Sequence, residues 1–440
     1  MKKFLKGATS FYVVAFSTLL LVIIAASFAT VILSEVTRSS NDDLSQSAYD
    51  SALAGVEDAK LAYSNYLRCM QGSGGTRCGE IIDAMQNPSC DMVAKMLGRN
   101  IQNGEVMITE TTTSDGSQMN QAYTCVKIDT KLSDYRANLT TDNNVRIVKA
   151  SFEDGVSADN IGAIKFSWYT RRKTETLKFT NFDAGNKWSG NDRVTFMPVG
   201  ETQPSTPPTM ALQIVQTSGD FVLGSYDGKE GYGLNSISKG SQTDRATLYL
   251  VPTNDANISG SGFMNTYNGN RNEINAGVVA ATNDQAIAKK PFVVYCDDDG
   301  DTDFVCSVTI ELPDPIGGGR NNDTFMILVT LPYGEPDTDF GIEYICKNNV
   351  SCGNNEASNG NGGDTATISG TQVTIDSTGR ANDLFRRVET RLETTDTSFP
   401  YTYYALELLG DGETLRKAMT VTCENNYYDY YYGSLNGRNC

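Results

Sequence analysis

One stretch limits what this chain can become. From Phe11 to Leu33 no charged residue occurs, and fourteen of those 23 positions are Leu, Ile, Val or Phe. As a helix rising about 1.5 Å per residue it spans about 34 Å, enough for a hydrocarbon core of roughly 30 Å. At about −0.3 to −0.6 kcal/mol per such residue, transfer into a bilayer is favoured by several kcal/mol. The run exceeds the apolar region of a signal peptide, about 7–15 residues. Ser27-Phe28-Ala29 offers a small-x-small pattern, but Val31-Ile32-Leu33 carry the apolar run past it. Lys2, Lys3 and Lys6 precede it, which predicts a cytoplasmic amino end with the remainder outside. No second such stretch follows. The sequence therefore predicts a single membrane anchor, residues 11–33, carrying an outward part.

The helical pattern continues beyond the anchor. Leu44, Ala48, Ala52, Val56, Ala59, Tyr63, Tyr66 and Leu67 recur at steps mostly of three or four, with Gln46, Asp50, Glu57, Asp58 and Lys60 on the other faces. Between the two halves lies Ser39-Ser40-Asn41-Asp42-Asp43. Such side chains compete for backbone hydrogen bonds, so a break or a renewed N-cap is expected there.

Composition then removes whole classes of activity. The chain has no His, which excludes Ser-His-Asp and Cys-His nucleophiles, His-ligated zinc and His-held haem. No GxxxxGK[ST] occurs, so a P-loop is absent. With 36 Lys and Arg against 53 Asp and Glu the net charge is −17, which argues against a nucleic-acid grip along the chain. The basic run Arg171-Arg172-Lys173, with Lys178 and Lys187, reads most simply as a solvated strand end. Paired carboxylates remain open to a glycosidase, but no constellation stands out, and the expectation is a non-enzyme.

Beyond residue 100 the pattern turns to short strands rich in Val, Ile, Thr, Tyr and Phe. Those expected first are 105–111, 122–132, 145–152, 161–169 and 176–179. Pro204, Pro207 and Pro208 then fall within Val199–Thr209, which reads as a linker. After it the expected strands are 210–217, 221–225, 246–252, 291–296, 304–312, 324–331, 340–346, 367–376 and 401–409. Residues 381–393 suit a helix or a strand. The expected organisation is a leader at 1–7, a helix over 8–68, a first β-rich lobe over 69–198, the linker at 199–209 and a second lobe over 210–440. The fold class is α+β: a membrane helix continuing as an amphipathic helix, then antiparallel β-rich lobes with disulfides.

All ten Cys lie outside the anchor, on the outward side, which points to an oxidising compartment. Sequence neighbours suggest Cys296–Cys306, Cys346–Cys352 and Cys423–Cys440. Cys69, Cys78, Cys90 and Cys125 would pair among themselves. The absence of C-x-x-C removes the signatures of thioredoxin-like chemistry and zinc ribbons.

The amino end resembles type IV pilins and type II secretion pseudopilins: a short basic leader ending in Gly7, a spanning helix directly after it, and an amphipathic continuation. The segment Ser47-Ala48-Tyr49-Asp50-Ser51-Ala52-Leu53-Ala54-Gly55-Val56-Glu57-Asp58-Ala59 resembles the alanine-rich stretch of PilX-type minor pilins. The resemblance covers about 60 residues. It implies cleavage by a prepilin peptidase between Gly7 and Ala8, then assembly of the helix with other pilin subunits. Family members usually carry Glu at the fifth mature position, thought to neutralise a neighbour's buried amino terminus. Here that position is Tyr12, and the first acidic residue is Glu35. A subunit at the tip has no neighbour ahead of it to satisfy, so Tyr12 favours a minor or tip subunit. Such filaments serve motility, adhesion or DNA uptake, on the surface of the cell, and meet host or partner cells. The rival is an uncleaved, single-pass surface adhesin that does not polymerise.

Two further segments invite partners. Asp297-Asp298-Asp299-Gly300-Asp301-Thr302-Asp303 holds five Asp in seven residues between Cys296 and Cys306. Asp297, Asp299, Asp301 and Asp303 resemble a Ca²⁺ loop, though Gly300 precedes the third of these and no Glu closes the loop. The simpler alternative is a solvated acidic turn. The stretch from Cys423 to Cys440 holds Tyr427, Tyr428, Tyr430, Tyr431 and Tyr432 among Asn, Ser and Gly. Those rings suit either contact with a partner or packing on the sheet and a neighbouring subunit.

Overall fold

The computed structural model describes residues 5–72, 75–112, 118–153, 156–170, 207–217, 243–257, 263–276, 291–296, 303–312, 316, 324–332, 337–346 and 364–394. The architecture is α+β. Helix α1 is unbroken over Leu5–Met70. The expected break at Ser39–Asp43 does not form. All five residues are exposed, so water satisfies their side chains without drawing them onto the backbone. Continuing the helix also avoids the cost of nucleating a second one.

The second half of α1 packs on a four-stranded antiparallel sheet. Its strands are β1 (Val106–Thr112), β2 (Gln118–Asp129), β14 (Gln372–Ala381) and β15 (Leu384–Glu393), in the order β1-β2-β14-β15. Small side chains make the contact close. Ala48, Ala52, Ala59 and Ala62 are fully buried, and Ser51 is buried beside them. A Cβ at Gly55 would lie 2.8 Å from Val126 Cγ2 and would collide with Ser377 Oγ. At Gly379 it would collide with the α1 backbone at Ala48 and Ala52. Backbone cannot turn aside as a side chain can, so glycine is required at Gly379 for the helix to lie this close.

Two short helices, α2 (Cys78–Gln86) and α3 (Met92–Leu97), close the far end of α1. Disulfides Cys69–Cys78 and Cys90–Cys125 tie them to α1 and β2. Asp58 adds a polar tie. It accepts hydrogen bonds from Tyr123 Oη at 2.8 Å and Arg99 Nη2 at 2.7 Å, joining α1, β2 and the segment after α3.

The remaining strands form a sandwich. These are β3 (Tyr135–Leu139), β4 (Val145–Lys149), β5 (Ile161–Thr170), β6 (Met210–Thr217), β7 (Thr243–Thr253), β8 (Met264–Asn265), β9 (Glu273–Ile274), β10 (Phe292–Tyr295), β11 (Phe304–Glu311), β12 (Thr324–Thr330) and β13 (Thr338–Cys346). One sheet has the order β4-β12-β6-β7-β10-β8, the other β3-β13-β5-β11-β9. Pairing is mostly antiparallel, but β10 runs parallel to β7 and β8, and β9 parallel to β11. Phe166, Trp168, Phe325, Phe340 and Tyr344 lie fully buried in the core shared by the two sheets.

This topology departs from the expected pair of lobes. Strands on either side of 199–209 pair directly: β4 with β12, and β5 with β11 and β13. Trp168 Nε1 donates to Pro208 O at 3.0 Å, so that proline belongs to the sandwich rather than to a spacer. All described strands fall in one compact unit, Met1–Ser398. The division that does exist is an insertion. The chain leaves the four-stranded sheet after β2, builds the sandwich from β3 to β13, and returns to the same sheet at β14. Residues 381–393, which suit either helix or strand by sequence, form the hairpin partner of β14, with Ala381 pairing Leu384. The strands expected at 176–179, 221–225 and 401–409 lie outside the described residues.

Candidate functional site

The feature that sets this molecule apart is the first half of α1. From Tyr12 to Arg38 every residue is exposed, and Tyr12, Phe16, Val22, Phe28 and Leu33 each stand about two-thirds open or more. The helix is long and apolar enough to cross a membrane. Its polar side chains fit that setting. Each Ser and Thr from Tyr12 to Arg38 turns its hydroxyl back on the helix: Ser17 to Val14 O, Thr18 to Ala15 O, Ser27 to Ile23 O, Thr30 to Ser27 O, Ser34 to Val31 O and Thr37 to Leu33 O, at 2.8–3.0 Å. Each donor is therefore matched within the helix, which an apolar environment demands.

Gly7 and Ala8 lie on the helical backbone of α1. Tyr12 is 71% exposed on the apolar surface, and Glu35 is exposed on the same helix just before the polar stretch Ser39–Asp43.

The acidic loop is placed only at its base. Cys296 and Cys306 are joined, with Cα atoms 4.4 Å apart across an antiparallel bridge. Asp303 pairs with Arg136 Nη2 at 2.9 Å. Asp297, Asp299 and Asp301 lie outside the described residues. Among the described residues no group of three or more His, Cys, Asp or Glu is arranged to hold a metal. Cys346 is disulfide-bonded. Cys352, Cys423, Cys440 and the tyrosines Tyr427, Tyr428, Tyr430, Tyr431 and Tyr432 lie outside the described residues, as does the basic run from Arg171.

A charged groove of about 370 Å³ lies where the sheet meets the insertion, lined in part by Lys127, Asp129, Asp376, Arg387 and Glu389. Its arginines are engaged: Arg387 grips Asp376 through two bonds at 2.7 and 2.6 Å, and Arg391 reaches Asp134 at 2.9 Å. Asp134 is the hub that sequence reasoning missed. Burial alone would raise its pKa, but the hydrogen bond from Arg136 and the charge of Arg391 hold it below the ordinary carboxylate value. Nothing local in Ser133-Asp134-Tyr135-Arg136 signals a partner more than 250 residues away.

No protein-family model matches the chain, and no curated protein matches it.

Proposed function

We propose that the chain is a structural subunit of a surface filament of the type IV pilus kind, a minor or tip subunit presenting an interaction head. The observation that carries this reading is the division of labour along α1. Residues 12–33 are uncharged, mostly apolar and open on every side, whereas from Ala48 the helix buries one face on a sheet. An apolar helix leaves lipid favourably only if equivalent helices cover it, which a filament core provides. The leader would be cut between Gly7 and Ala8 by a prepilin peptidase. Tyr12 in place of an acidic side chain supports the tip position. The inserted sandwich would be the head that meets a host or partner cell, and before assembly the amino end would face the cytoplasm.

The test is the mass of the amino-terminal peptide from whole cells, combined with a search for the protein in sheared surface fibres. A peptide beginning at Ala8 and recovery with the fibres are expected. A peptide retaining Met1 to Gly7, with the protein absent from the fibres, would overturn the reading in favour of a fixed membrane-anchored adhesin. Immunogold label confined to filament ends is expected for a tip subunit; label along the shafts would refute that placement.

A further inference from the structure

The sandwich is joined to the four-stranded sheet by two chain segments, one leaving after β2 and one returning before β14. Their main chains bond to each other: Leu132 N donates to Ile368 O at 3.0 Å, and Ile368 N to Leu132 O at 2.8 Å. Two adjacent segments form a natural hinge, since few contacts need to change for one part to swing on the other.

Side chains from both parts cross this hinge. Asp134, on the outgoing segment, accepts hydrogen bonds from Arg136 Nε and, at 2.9 Å, from Arg391 Nη2 of β15. Arg391 Nη1 also donates to Asp134 O at 2.9 Å. Gln372, at the start of β14, takes Arg136 N on its Oε1 at 3.2 Å and gives its Nε2 to Arg136 O at 2.7 Å. Its side-chain amide thus pairs with β3 as another strand would. Tyr135 Oη donates to Glu393 Oε1 at 2.8 Å. Gln372 and Tyr135 are buried, and the Asp134 side chain is 13% exposed. Arg136 extends the chain of contacts to Asp303, at the base of the disulfide-closed acidic loop, and lies 5.4 Å from the Phe304 ring centroid.

We infer that Asp134, Arg391 and Gln372 form a lock that fixes the direction in which the inserted sandwich projects from α1 and its sheet. Two parts that needed only tethering would be served by the paired main chains. Charged side chains are ordinarily left in water, because drying them is costly unless every group is matched. Here the carboxylate of Asp134 meets two guanidinium groups, and the fork of Arg391 spans a side-chain and a main-chain oxygen of one residue. That geometry specifies orientation as well as attachment. The inference rests on the junction alone and holds whether or not the chain polymerises.

The experiment is hydrogen–deuterium exchange on the full chain in detergent, comparing wild type with Asp134→Asn/Arg391→Gln. Release of the lock predicts exchange about tenfold faster or more at residues 131–136 and 367–372. The interior amides of β5 and of β14 should keep their wild-type protection, because each part retains its own core. Unchanged exchange at the junction would overturn the inference. So would equal acceleration throughout, which marks a general loss of stability. The milder Arg391→Lys keeps the charge but removes the fork. Should the double variant fail to fold, acceleration confined to the junction in Arg391→Lys is the expected result, and its absence refutes the lock.

Discussion

Ser377 of β14 donates its hydroxyl to the main-chain oxygen of Ala52 in α1 across 2.7 Å, both residues fully buried. This bond exists only because the helix lies on the strand with almost no side-chain volume between them. Gly379, two residues along the same face, is the space into which the Ala48–Ala52 turn fits.

Substitutions along that seam should differ in cost. Gly379→Ala places a methyl group against helix backbone, which cannot rotate aside. Overpacking of this kind costs about 1–3 kcal/mol and more where backbone must move. Ser377→Ala removes one buried bond, an effect of about 1 kcal/mol. Thermal unfolding of the full chain in detergent should therefore rank Gly379→Ala as clearly the worse. Equal effects would mean that α1 can lift from the sheet without penalty.

What a sequence discloses depends on range. Ala48, Ala52, Val56, Ala59 and Tyr63 announce the buried stripe of α1 because a helix writes its periodicity locally, and all five are buried. Ser51, Gly55 and Ala62 belong to the same contact but carry little hydrophobic signal. Met210–Thr217 matches its expected bounds, since alternating β-rich residues also write a local pattern. Strand β3 escapes a local reading, because Arg136 and Asn138 interrupt so short a run. The insertion is hidden for a deeper reason: pairing of Asp129 with Thr374 leaves no trace within either segment. The junction lock shares that cause, as Asp134 and Arg391 meet only through the fold.

A second prediction falls on Asn272, a buried side chain with every polar atom used. Its Nδ2 donates to Tyr295 O at 2.7 Å and Ser307 O at 2.9 Å, while its Oδ1 accepts from Tyr295 N at 2.8 Å and Thr266 Oγ1 at 3.0 Å. It thereby joins β10 of one sheet to β11 of the other. Asn272→Ala strands several of these groups, at about 1–3 kcal/mol for each left unsatisfied. The sandwich should unfold at lower denaturant concentration, with faster amide exchange in β10 and β11. Wild-type stability would show that the two sheets need no such bridge.

Tyr344 provides the opposite case. Its ring is buried against Phe152 and Phe325, at centroid separations of 5.1 and 6.4 Å, and its hydroxyl has no hydrogen-bond partner among the described residues. Burial pushes the phenol pKa upward, so it stays protonated. Tyr344→Phe removes a group whose burial costs about 1–3 kcal/mol when unmatched. Stability should hold or rise in chemical denaturation. A marked loss would reveal an internal water serving that hydroxyl.

Asp134 carries a pH dependence. Its pKa is held below the unfolded value of about 3.9. A depressed carboxylate pKa stabilises the folded state above the unfolded pKa, and that contribution disappears as pH falls through the folded value. Wild type should therefore lose its advantage over Asp134→Asn as the solution is taken from about pH 6 to below about pH 4. Comparing the two proteins removes the effect of the many other carboxylates. A difference that stays constant with pH would show that the charge of Asp134 contributes nothing to the junction.

The two disulfides near α1 should also separate by experiment. Cys69–Cys78 closes a sequence separation of 9, and Cys90–Cys125 one of 35. In the chain-entropy account these correspond to about 2.6 and about 3.8 kcal/mol of stabilisation, through restriction of the unfolded chain. Position adds to the difference. Cys69–Cys78 pins the end of α1, where fraying is local. Cys90–Cys125 instead fixes the segment before α3 to the central part of β2, against a core that includes Met92, Val126 and Ile128. Replacing both cysteines of each pair by Ser should therefore lower the unfolding temperature more for Cys90–Cys125. In the Cys69–Cys78 variant, faster amide exchange should stay within the last turns of α1 and in α2. The reverse order would mean that the end of α1, rather than the sheet, governs the stability of this part of the protein.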